Sequence, residues 1–484
     1  MSDDKFEFKV GTEAIKGLPG RILQNALQFV TVAVIARFLG ASGLGTYSLL
    51  FTVIKASEIL INGFGEALKK RVSETGTDES KYVGAALLFH FVFILVTTGV
   101  GIGFILYFPE HIPMETWGAY FALFAFQAHG LFKLSQELYA AVGEPGEALW
   151  FDSLARSLIL GSQVIFLWLG YGMEALMIGI FIGTVATAIV GFYVTGVWPS
   201  PPTLDVFHEL YIFAKYSIPA ELLGAAYGYS DTFAIYFLVS ATALGQFSAA
   251  AQLIVAGAVV GPALAKPLIV KTSNNHSQNE EVTSPLRTSL TFAGILGLPL
   301  LSLSIAIPEV MPIIYGPEFA GTGIVIALVA AYSVITVYKQ QFIAAFNGID
   351  KPRIPMMIRL AQVIVYIPVI VYAAVYHGFV GFLVASLFIE LFGFVLFILP
   401  SRKEFDEYVF VRPVVVQVCA SIVLYFVATG VFSLVPETIL GLIITIFVSV
   451  IVYGGLIYAF SERMRTAGQA YAEVAVNEIK KKIN

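Results

Sequence analysis

The chain has 484 residues, of which 58% are hydrophobic and only 13% are charged, and its formal net charge is −5 at pH 7. Because soluble domains carry about 25% charged residues, this composition excludes a soluble enzyme, a disordered chain and a secreted disulfide scaffold. The negative net charge and the lack of a basic stripe also exclude nucleic-acid binding as the main role.

Apolar stretches long enough to cross a membrane recur along the whole chain, separated by short polar or Gly/Pro segments. Helices are expected for them, because every backbone group in a bilayer must be hydrogen-bonded without water. The pattern predicts an all-α integral membrane protein with about 14 transmembrane helices of roughly 20 residues each. In chain order they are 18–39, 46–66, 82–108, 117–142, 149–170, 175–198, 211–239, 245–270, 288–308, 321–346, 356–376, 379–400, 413–433 and 438–460.

Basic residues predict the orientation of these helices. With the N-terminus in the cytoplasm, the inner segments hold 19 of the 28 Lys and Arg residues, and the outer loops hold none. Such a bias toward the cytoplasmic side is typical of membrane proteins. Segment 1–17 lacks the basic-then-apolar layout of a cleaved signal peptide. We therefore expect a multi-pass protein of the cell membrane with both termini in the cytoplasm.

An internal repeat divides the sequence. Residues 35–48 (IARFLGASGLGTYS) match residues 235–248 (IYFLVSATALGQFS), and a second echo joins 136–145 to 340–352. Six predicted helices separate the copies, so both copies enter the membrane in the same direction, as in transporters with parallel repeats. An old duplication without a moving function is the alternative. The predicted organisation is a cytoplasmic segment 1–17, an N-terminal six-helix lobe 18–198, a C-terminal six-helix lobe 199–400, two additional helices in 401–460 and a cytoplasmic tail 461–484.

Sixteen charged side chains fall within the predicted helices, nine basic and seven acidic. A charge near the bilayer centre is costly unless it is paired or hydrated, so these side chains indicate a polar interior. Three pairs lie three or four residues apart on one helix and can form structural ion pairs. They are Lys55–Glu58, Lys133–Glu137 and Asp152–Arg156. Lys339, Asp231 and Glu390 need partners on other helices or a water-filled cavity. The basic excess suits an anionic head group such as phosphate or pyrophosphate.

The sequence contains no motif of a soluble catalytic domain. The dipeptide Gly-Lys is absent, which excludes a P-loop, and neither HExxH nor GxSxG occurs. The single cysteine, Cys419, excludes an internal disulfide and a cysteine-based metal site. We expect neither an enzyme nor a protein with a cofactor or metal.

Three segments carry a family resemblance: VIARFLGASGLGTYSLLF, YSIPAELLGAAYGYSDTFAIYFLVSATALGQFSAAAQLI and AAFNGIDKPRIP. They resemble polysaccharide and oligosaccharide exporters, a family in the superfamily of lipid II flippases and multidrug and toxin extruders. The resemblance covers the predicted twelve-helix body, and fourteen helices is a usual count in the family. The family usually has a basic residue after the Asp that is Asp231 here, whereas this chain has Thr232.

The resemblance implies flipping of a lipid-linked oligosaccharide, carried on a polyprenyl or dolichyl phosphate or pyrophosphate, from the cytoplasmic to the outer leaflet by alternating access. Such transport serves the assembly of surface polysaccharide or glycoprotein. The expected partners are the lipid-linked glycan, membrane lipid, and glycosyltransferases or a polymerase or ligase of the same pathway.

A cationic cavity would hold the sugar-phosphate head group. The candidates for binding it are Arg37, Lys55, Lys133, Lys266 and Lys339, and those for ion coupling or charge balance are Glu58 and Asp231. An ion-coupled antiporter for cationic drugs or metabolites is the alternative, and it predicts a net acidic cavity. A scaffold that assembles membrane glycosyltransferases without transport is a third hypothesis.

Overall fold

Helices make up the regular structure of the residues that the computed structural model describes, and no strand occurs among them. The described residues are 3–59, 61–62, 65, 68, 79–141, 145–405, 412–461 and 465. The predicted all-α class is confirmed. Most of the predicted tail, 461–484, lies outside the described residues. The chain forms two compact units, Met1–Gly245 and Gln246–Asn484. The predicted lobes, divided at residue 198, remain a prediction.

The first unit contains seven complete helices within its described residues, and an eighth begins near its end. They are α1 (Asp3–Lys55), α2 (Glu79–Tyr107), α3 (Thr116–Ala141), α4 (Pro145–Trp168), α5 (Gly172–Thr195), α6 (Leu204–Gly228), α7 (Ser230–Leu238) and α8 (Ala241–Ala258). Helix α1 is interrupted at Gly40, which has φ 69° and ψ −173°. Glycine adopts this positive φ without a steric penalty, so the chain can turn between the helices predicted at 18–39 and 46–66.

Helices α3 and α4 both pack on α5, and α4 also packs on α1. Small residues allow the close approach of α5 to α4: a Cβ atom added to Gly183 would lie 2.7 Å from the backbone nitrogen of Ile159. The side chain of Gln163 on α4 donates a 3.2 Å hydrogen bond to the carbonyl of Leu176 on α5. Close glycine packing and interhelical hydrogen bonds are the contacts that hold helices together in lipid, and here they fix the position of α4.

The second unit contains the remaining helices. They are α9 (Val260–Ser277), α10 (Thr283–Ala306), α11 (Val310–Tyr315), α12 (Gly323–Gly348), α13 (Arg353–Glu404), α14 (Arg412–Phe432) and α15 (Ile439–Phe460). Helix α13 is interrupted at Gly378 (φ 61°, ψ −149°), between the helices predicted at 356–376 and 379–400. Buried aromatic rings join α12 to α13: the centroids of Phe342 and Phe397 lie 6.1 Å apart.

Two predicted helices are each divided in the structure. The stretch 211–239 forms α6 and α7, which are separated at Tyr229, and the stretch 245–270 contributes to α8 and α9, separated at Val259. Pro262 explains the second break, because it has no N–H to donate to the carbonyl four residues earlier, at the end of α8. Apolar residues continue through both breaks, so the apolar pattern predicts one continuous helix in each case.

Nine helical stretches of the described residues are long and apolar enough to cross a membrane. Two of them, Pro19–Ile59 with 41 residues and Arg353–Glu404 with 52 residues, contain the non-helical glycines and are long enough for two crossings each, since one crossing takes about 20 residues. The chain is therefore an integral membrane protein with many spans, and the count of 14 remains a prediction.

Candidate functional site

The first unit encloses a polar cavity of ≈ 160 Å³, here called the N-terminal cavity. Its lining brings together three cationic side chains, two carboxylates and a histidine in a chain in which only 13% of residues are charged. The lining residues are Gln24, Phe51, Lys55, Glu58, His129, Phe132, Lys133, Gln136, Asp152, Ala155, Arg156, Ile159 and Thr184.

Helical periodicity explains how these residues meet. Residues three, four and seven positions apart lie on one face of a helix, and three helical segments each turn such a stripe toward the cavity. The stripes are Phe51, Lys55 and Glu58 from α1 and the turn after it, His129, Phe132, Lys133 and Gln136 from α3, and Asp152, Ala155, Arg156 and Ile159 from α4. Gln24 and Thr184 complete the lining from the first half of α1 and from α5.

Glu58 is held by a histidine. One of its carboxylate oxygens lies 2.6 Å from Nε2 of His129, which is 71 residues away in the chain. The spacing left an ion pair of Glu58 with Lys55 open, and among the described residues the carboxylate is bonded to His129 on α3 instead. The Lys55 ammonium instead lies 5.7 Å from the ring centroid of Phe51, within the range of a cation–π contact.

Lys133 forms the ion pair that its spacing predicts. Its ammonium lies 3.0 Å from Oε1 of Glu137, one helical turn further along α3. It also donates a 2.8 Å hydrogen bond to the side-chain oxygen of Gln136. Charge-assisted hydrogen bonds of this kind orient a lysine firmly, so Lys133 is held at the cavity wall.

Asp152 and Arg156 both line the cavity from α4. Their spacing left an ion pair open, and none joins them within the described part of the chain. Both charges therefore belong to the cavity surface. The sequence left a structural pair open for them and did not name them as site residues, although residues 152, 155, 156 and 159 share one helical face.

A second polar cluster lies in the second unit. The ammonium of Lys339 on α12 lies 2.6 Å from Oε2 of Glu390 on α13, and Thr336 donates a 2.7 Å hydrogen bond to the other carboxylate oxygen. Gln362 accepts from Lys339 at 3.4 Å and donates to the carbonyl of Ile389 at 3.0 Å. Lys339 is 7% exposed and Glu390 is 3% exposed. Lys339 and Glu390 are thus each other's partner on another helix, as the sequence analysis required.

The remaining predicted site residues lie elsewhere. Arg37 on α1 and Lys266 on α9 are exposed, and Asp231 is half-buried in the first turn of α7. A carboxylate in the first turn of a helix is stabilised by the positive end of the helix dipole. The described lining of this cavity contains Lys55, Lys133 and Glu58 of the seven candidates.

The chemistry open to this cavity is recognition of an oxyanion. Lysine and arginine donate charge-assisted hydrogen bonds to phosphate, and arginine can do so with two parallel bonds. Among the described residues, no cluster of His, Cys, Asp and Glu side chains could hold a metal ion. The cationic side chains, together with the amides of Gln24 and Gln136, are the groups that would contact a ligand.

Apolar helices of membrane-spanning length around a cavity of half-buried charges define the class of multi-span membrane transporters. A family model described as polysaccharide biosynthesis protein matches residues 18–272, more than half of the chain. The chain belongs to this family.

Relatives and solved structures agree with this class. The chain is 23% identical over 380 residues to a probable low-salt glycan biosynthesis flippase of Haloferax volcanii, covering 77% of this chain and 79% of that protein. Its fold is similar to that of the lipid II flippase MurJ in an inward closed conformation, with a TM-score of 0.73, 14% identity, and 93% and 99% of the two chains covered. An inward-facing multidrug resistance MATE family transporter matches with a TM-score of 0.59, 14% identity, and 81% and 98% coverage.

Proposed function

We propose that the protein is a flippase that moves a lipid-linked oligosaccharide, carried on a polyprenyl or dolichyl phosphate or pyrophosphate, across the membrane for the assembly of surface polysaccharide or glycoprotein. The observation that carries the proposal is the N-terminal cavity, where Lys55, Lys133 and Arg156 gather in an apolar protein. Membership of the polysaccharide biosynthesis family and similarity to a probable glycan biosynthesis flippase support it.

The cavity supplies hydrogen-bond donors to a phosphate head group that has left water. Moving a phosphate out of water removes its hydration, and the half-buried cations of the cavity replace it by donating hydrogen bonds. Lys55, Lys133 and Arg156 bind the phosphate, Glu58 balances charge, and the lipid tail stays in the bilayer. Alternating access then exposes the head group to the other leaflet. The step breaks no covalent bond, so the protein acts as a transporter and not as an enzyme.

The other candidates have subordinate roles in this proposal. Lys339 is held by Glu390, so it can contact a head group only if that ion pair opens. Arg37 and Lys266 are exposed, and they would contact the substrate before it enters the cavity or after it leaves. Asp231 would balance charge. The proposal has both termini in the cytoplasm, as the distribution of Lys and Arg predicts, and transport running from the cytoplasmic to the outer leaflet of the cell membrane.

An ion-coupled antiporter for cationic drugs is the second candidate, and the fold of the multidrug transporter is its support. A site for an organic cation is favoured by an excess of carboxylates, because an uncompensated charge inside a membrane protein is costly. The described lining of the N-terminal cavity has three cations against two carboxylates, which favours an anionic ligand.

Deletion of the gene in its host tests the proposal. We expect completed lipid-linked oligosaccharides to accumulate, measured by mass spectrometry of lipid extracts, while the matching glycan on surface products falls. The wild-type gene should reverse both changes, whereas a gene carrying Lys133→Ala should not. Unchanged lipid-linked and surface pools in the deletion strain would contradict the proposal, and resistance to toxic cations on overexpression would favour the antiporter.

A further inference from the structure

We infer that Phe51 is a positioning residue: its ring holds the ammonium of Lys55 apart from Glu58, so that Lys55 meets the phosphate of the substrate as an unpaired cation. His129 assists by holding the carboxylate of Glu58. The inference rests on the proposed flippase function and adds how one of its binding groups is kept available. It follows from the contacts that side chains of α1, of the turn after it and of α3 make with one another.

Lys55 and Glu58 could form an ion pair, because they lie three positions apart, a spacing at which opposite charges can meet. The structure separates them. The Lys55 ammonium lies 5.7 Å from the ring centroid of Phe51, and a carboxylate oxygen of Glu58 lies 2.6 Å from Nε2 of His129. The Lys55 ammonium forms no ion pair or hydrogen bond within the described part of the chain. Its charge is therefore available to a ligand in the cavity that it lines.

Lys133 shows the opposite arrangement in the same cavity. Its ammonium lies 3.0 Å from Oε1 of Glu137 and donates a hydrogen bond to Gln136. A phosphate that binds Lys133 must share the ammonium with that carboxylate. An aromatic ring carries no net charge, so Phe51 attracts the Lys55 ammonium through its electron-rich face without cancelling the positive charge. Of the two lysines in the described lining, Lys55 is thus the one whose charge is not compensated by a carboxylate.

The ring of Phe51 is itself held in place by two other rings. Tyr47, one turn earlier on α1, stacks with it at a centroid distance of 5.7 Å and an interplanar angle of 11°. Tyr47 is only 7% exposed, so this contact is anchored in the protein. His129 on α3 contacts Phe51 edge-on, with the centroids 6.1 Å apart. Aromatic pairs in such geometries are favourable, so Phe51 offers Lys55 a fixed surface.

His129 links the two halves of this arrangement. The same imidazole contacts the Phe51 ring and bonds the carboxylate of Glu58. This bond occupies one carboxylate oxygen whether the imidazole is neutral or protonated. The inference therefore does not depend on the charge of His129. The second oxygen of Glu58 remains able to accept from an ammonium, and Phe51 is what holds Lys55 from it.

Loss of the ring should therefore weaken binding in a way that depends on Glu58. Phe51→Leu keeps an apolar side chain but removes the electron-rich face. The Lys55 ammonium would then pair with Glu58, and a phosphate would have to compete with that carboxylate. Substrate binding becomes weaker, while the movement of the loaded protein is unaffected. A packing defect at Phe51 would not require Glu58 to produce its effect.

The test uses the full-length protein in proteoliposomes with a synthetic polyprenyl phosphate disaccharide at increasing mole fractions. Translocation is read from the oxidation of the glycan by an impermeant periodate reagent. We expect Phe51→Leu to raise the half-saturating mole fraction about fivefold at an unchanged maximal rate. Phe51→Tyr keeps an aromatic ring and should behave as the wild type. Phe91→Leu makes the same chemical change at an exposed position on α2 and is the matched control, which should also behave as the wild type.

Glu58→Gln distinguishes positioning from packing. In the Glu58→Gln background Lys55 has no carboxylate here to pair with, so adding Phe51→Leu should change the half-saturating mole fraction by less than about twofold. A fivefold effect of Phe51→Leu in both backgrounds would overturn the inference, because the ring would then act through packing alone. Equal behaviour of Phe51→Leu and Phe91→Leu would overturn it as well.

A second substitution covers the case in which Phe51→Leu fails to insert. Replacement of Phe51 by trifluorophenylalanine keeps the shape of the ring and withdraws negative charge from its face, which weakens the attraction of a cation. An unchanged half-saturating mole fraction in that protein would overturn the inference and leave the flippase function intact. Movement of no lipid by correctly inserted wild-type protein would instead contradict the proposed function, and the inference with it.

Discussion

The ammonium of Lys339 lies 2.6 Å from a carboxylate oxygen of Glu390, although 51 residues separate them in the chain. Both side chains are buried, and Thr336 and Gln362 supply further hydrogen bonds to the pair. A buried ion pair of this kind does little for stability relative to apolar residues, but removal of one partner leaves a buried charge without compensation. The pair therefore ties α12 to α13 in a way that depends on both charges.

Because of this dependence, removing both charges should cost less stability than removing one of them. Lys339→Met alone should reduce the free energy of unfolding by about 3–5 kcal/mol, and Lys339→Met combined with Glu390→Leu should recover most of that loss. Both stability changes are measured by thermal unfolding in detergent, with the fraction of monodisperse protein recorded at each temperature. Additive losses in the double variant would show that the two side chains do not act as a pair.

The structure leaves no space for a side chain at Gly45 and Gly245 in the first unit. They occupy equivalent positions in the sequence repeat, and their contacts are reciprocal: a Cβ atom on Gly45 would lie 1.8 Å from the carbonyl oxygen of Ala241, and one on Gly245 would lie 1.8 Å from that of Ala41. Backbone cannot move aside cheaply, so Gly45→Ala should reduce the free energy of unfolding by about 1–3 kcal/mol.

The control for this prediction is Gly99→Ala on α2, where an added Cβ would meet nothing within 4 Å. Alanine is favoured over glycine inside a helix, so this variant should unfold at the wild-type temperature or slightly above it. Equal behaviour of the two variants would argue against the close contact at Gly45.

Because Glu58 and His129 are hydrogen-bonded to each other, we expect substitutions at the two residues to reduce stability by different amounts. His129→Ala leaves a half-buried carboxylate with one partner fewer and should cost about 1–3 kcal/mol, whereas Glu58→Gln keeps an acceptor for the imidazole and should cost about 1 kcal/mol or less. His208→Ala, at an exposed position on α6, should be neutral. Unfolding temperatures in detergent give the order, and a Glu58→Gln protein less stable than His129→Ala would contradict it.

Arg156 tests whether the cavity recognises phosphate by geometry as well as charge. Arginine can donate two parallel hydrogen bonds to phosphate, whereas lysine presents a single ammonium. In the deletion host, Arg156→Lys should restore surface glycan only in part, and Arg156→Ala should restore none. Lys271→Ala, at an exposed position on α9 outside the cavity, should restore it fully. Full activity of Arg156→Ala would remove this residue from the site.

The sequence predicted the helical class and one of three possible local ion pairs, because both depend on features of single helical stretches. Lys133 and Glu137 lie one turn apart on α3, and the structure places them 3.0 Å from each other. The need of Lys339 for a partner on another helix also followed from the cost of an isolated buried charge. These inferences require no knowledge of which helices are neighbours.

The remaining features depend on which helix faces meet, and a single sequence does not contain that information. The stripe through Asp152 and Arg156 was readable as one face of α4, yet only the packing of α4 on α1 turns it to the cavity. In the same way, His129 lies within the helix predicted at 117–142, but its bond to Glu58 joins residues 71 positions apart. The break before α9 was missed because apolar residues continue through it.

The most direct test of the account is translocation by purified protein. Wild-type protein, Lys271→Ala and the triple variant Lys55→Ala/Lys133→Ala/Arg156→Ala are reconstituted in equal amounts with a phosphate-linked disaccharide lipid, and exposure of the glycan on the opposite leaflet is followed over time. The account predicts that wild type and Lys271→Ala move the lipid at the same rate and that the triple variant does not exceed protein-free liposomes. Equal rates for all three proteins would contradict it.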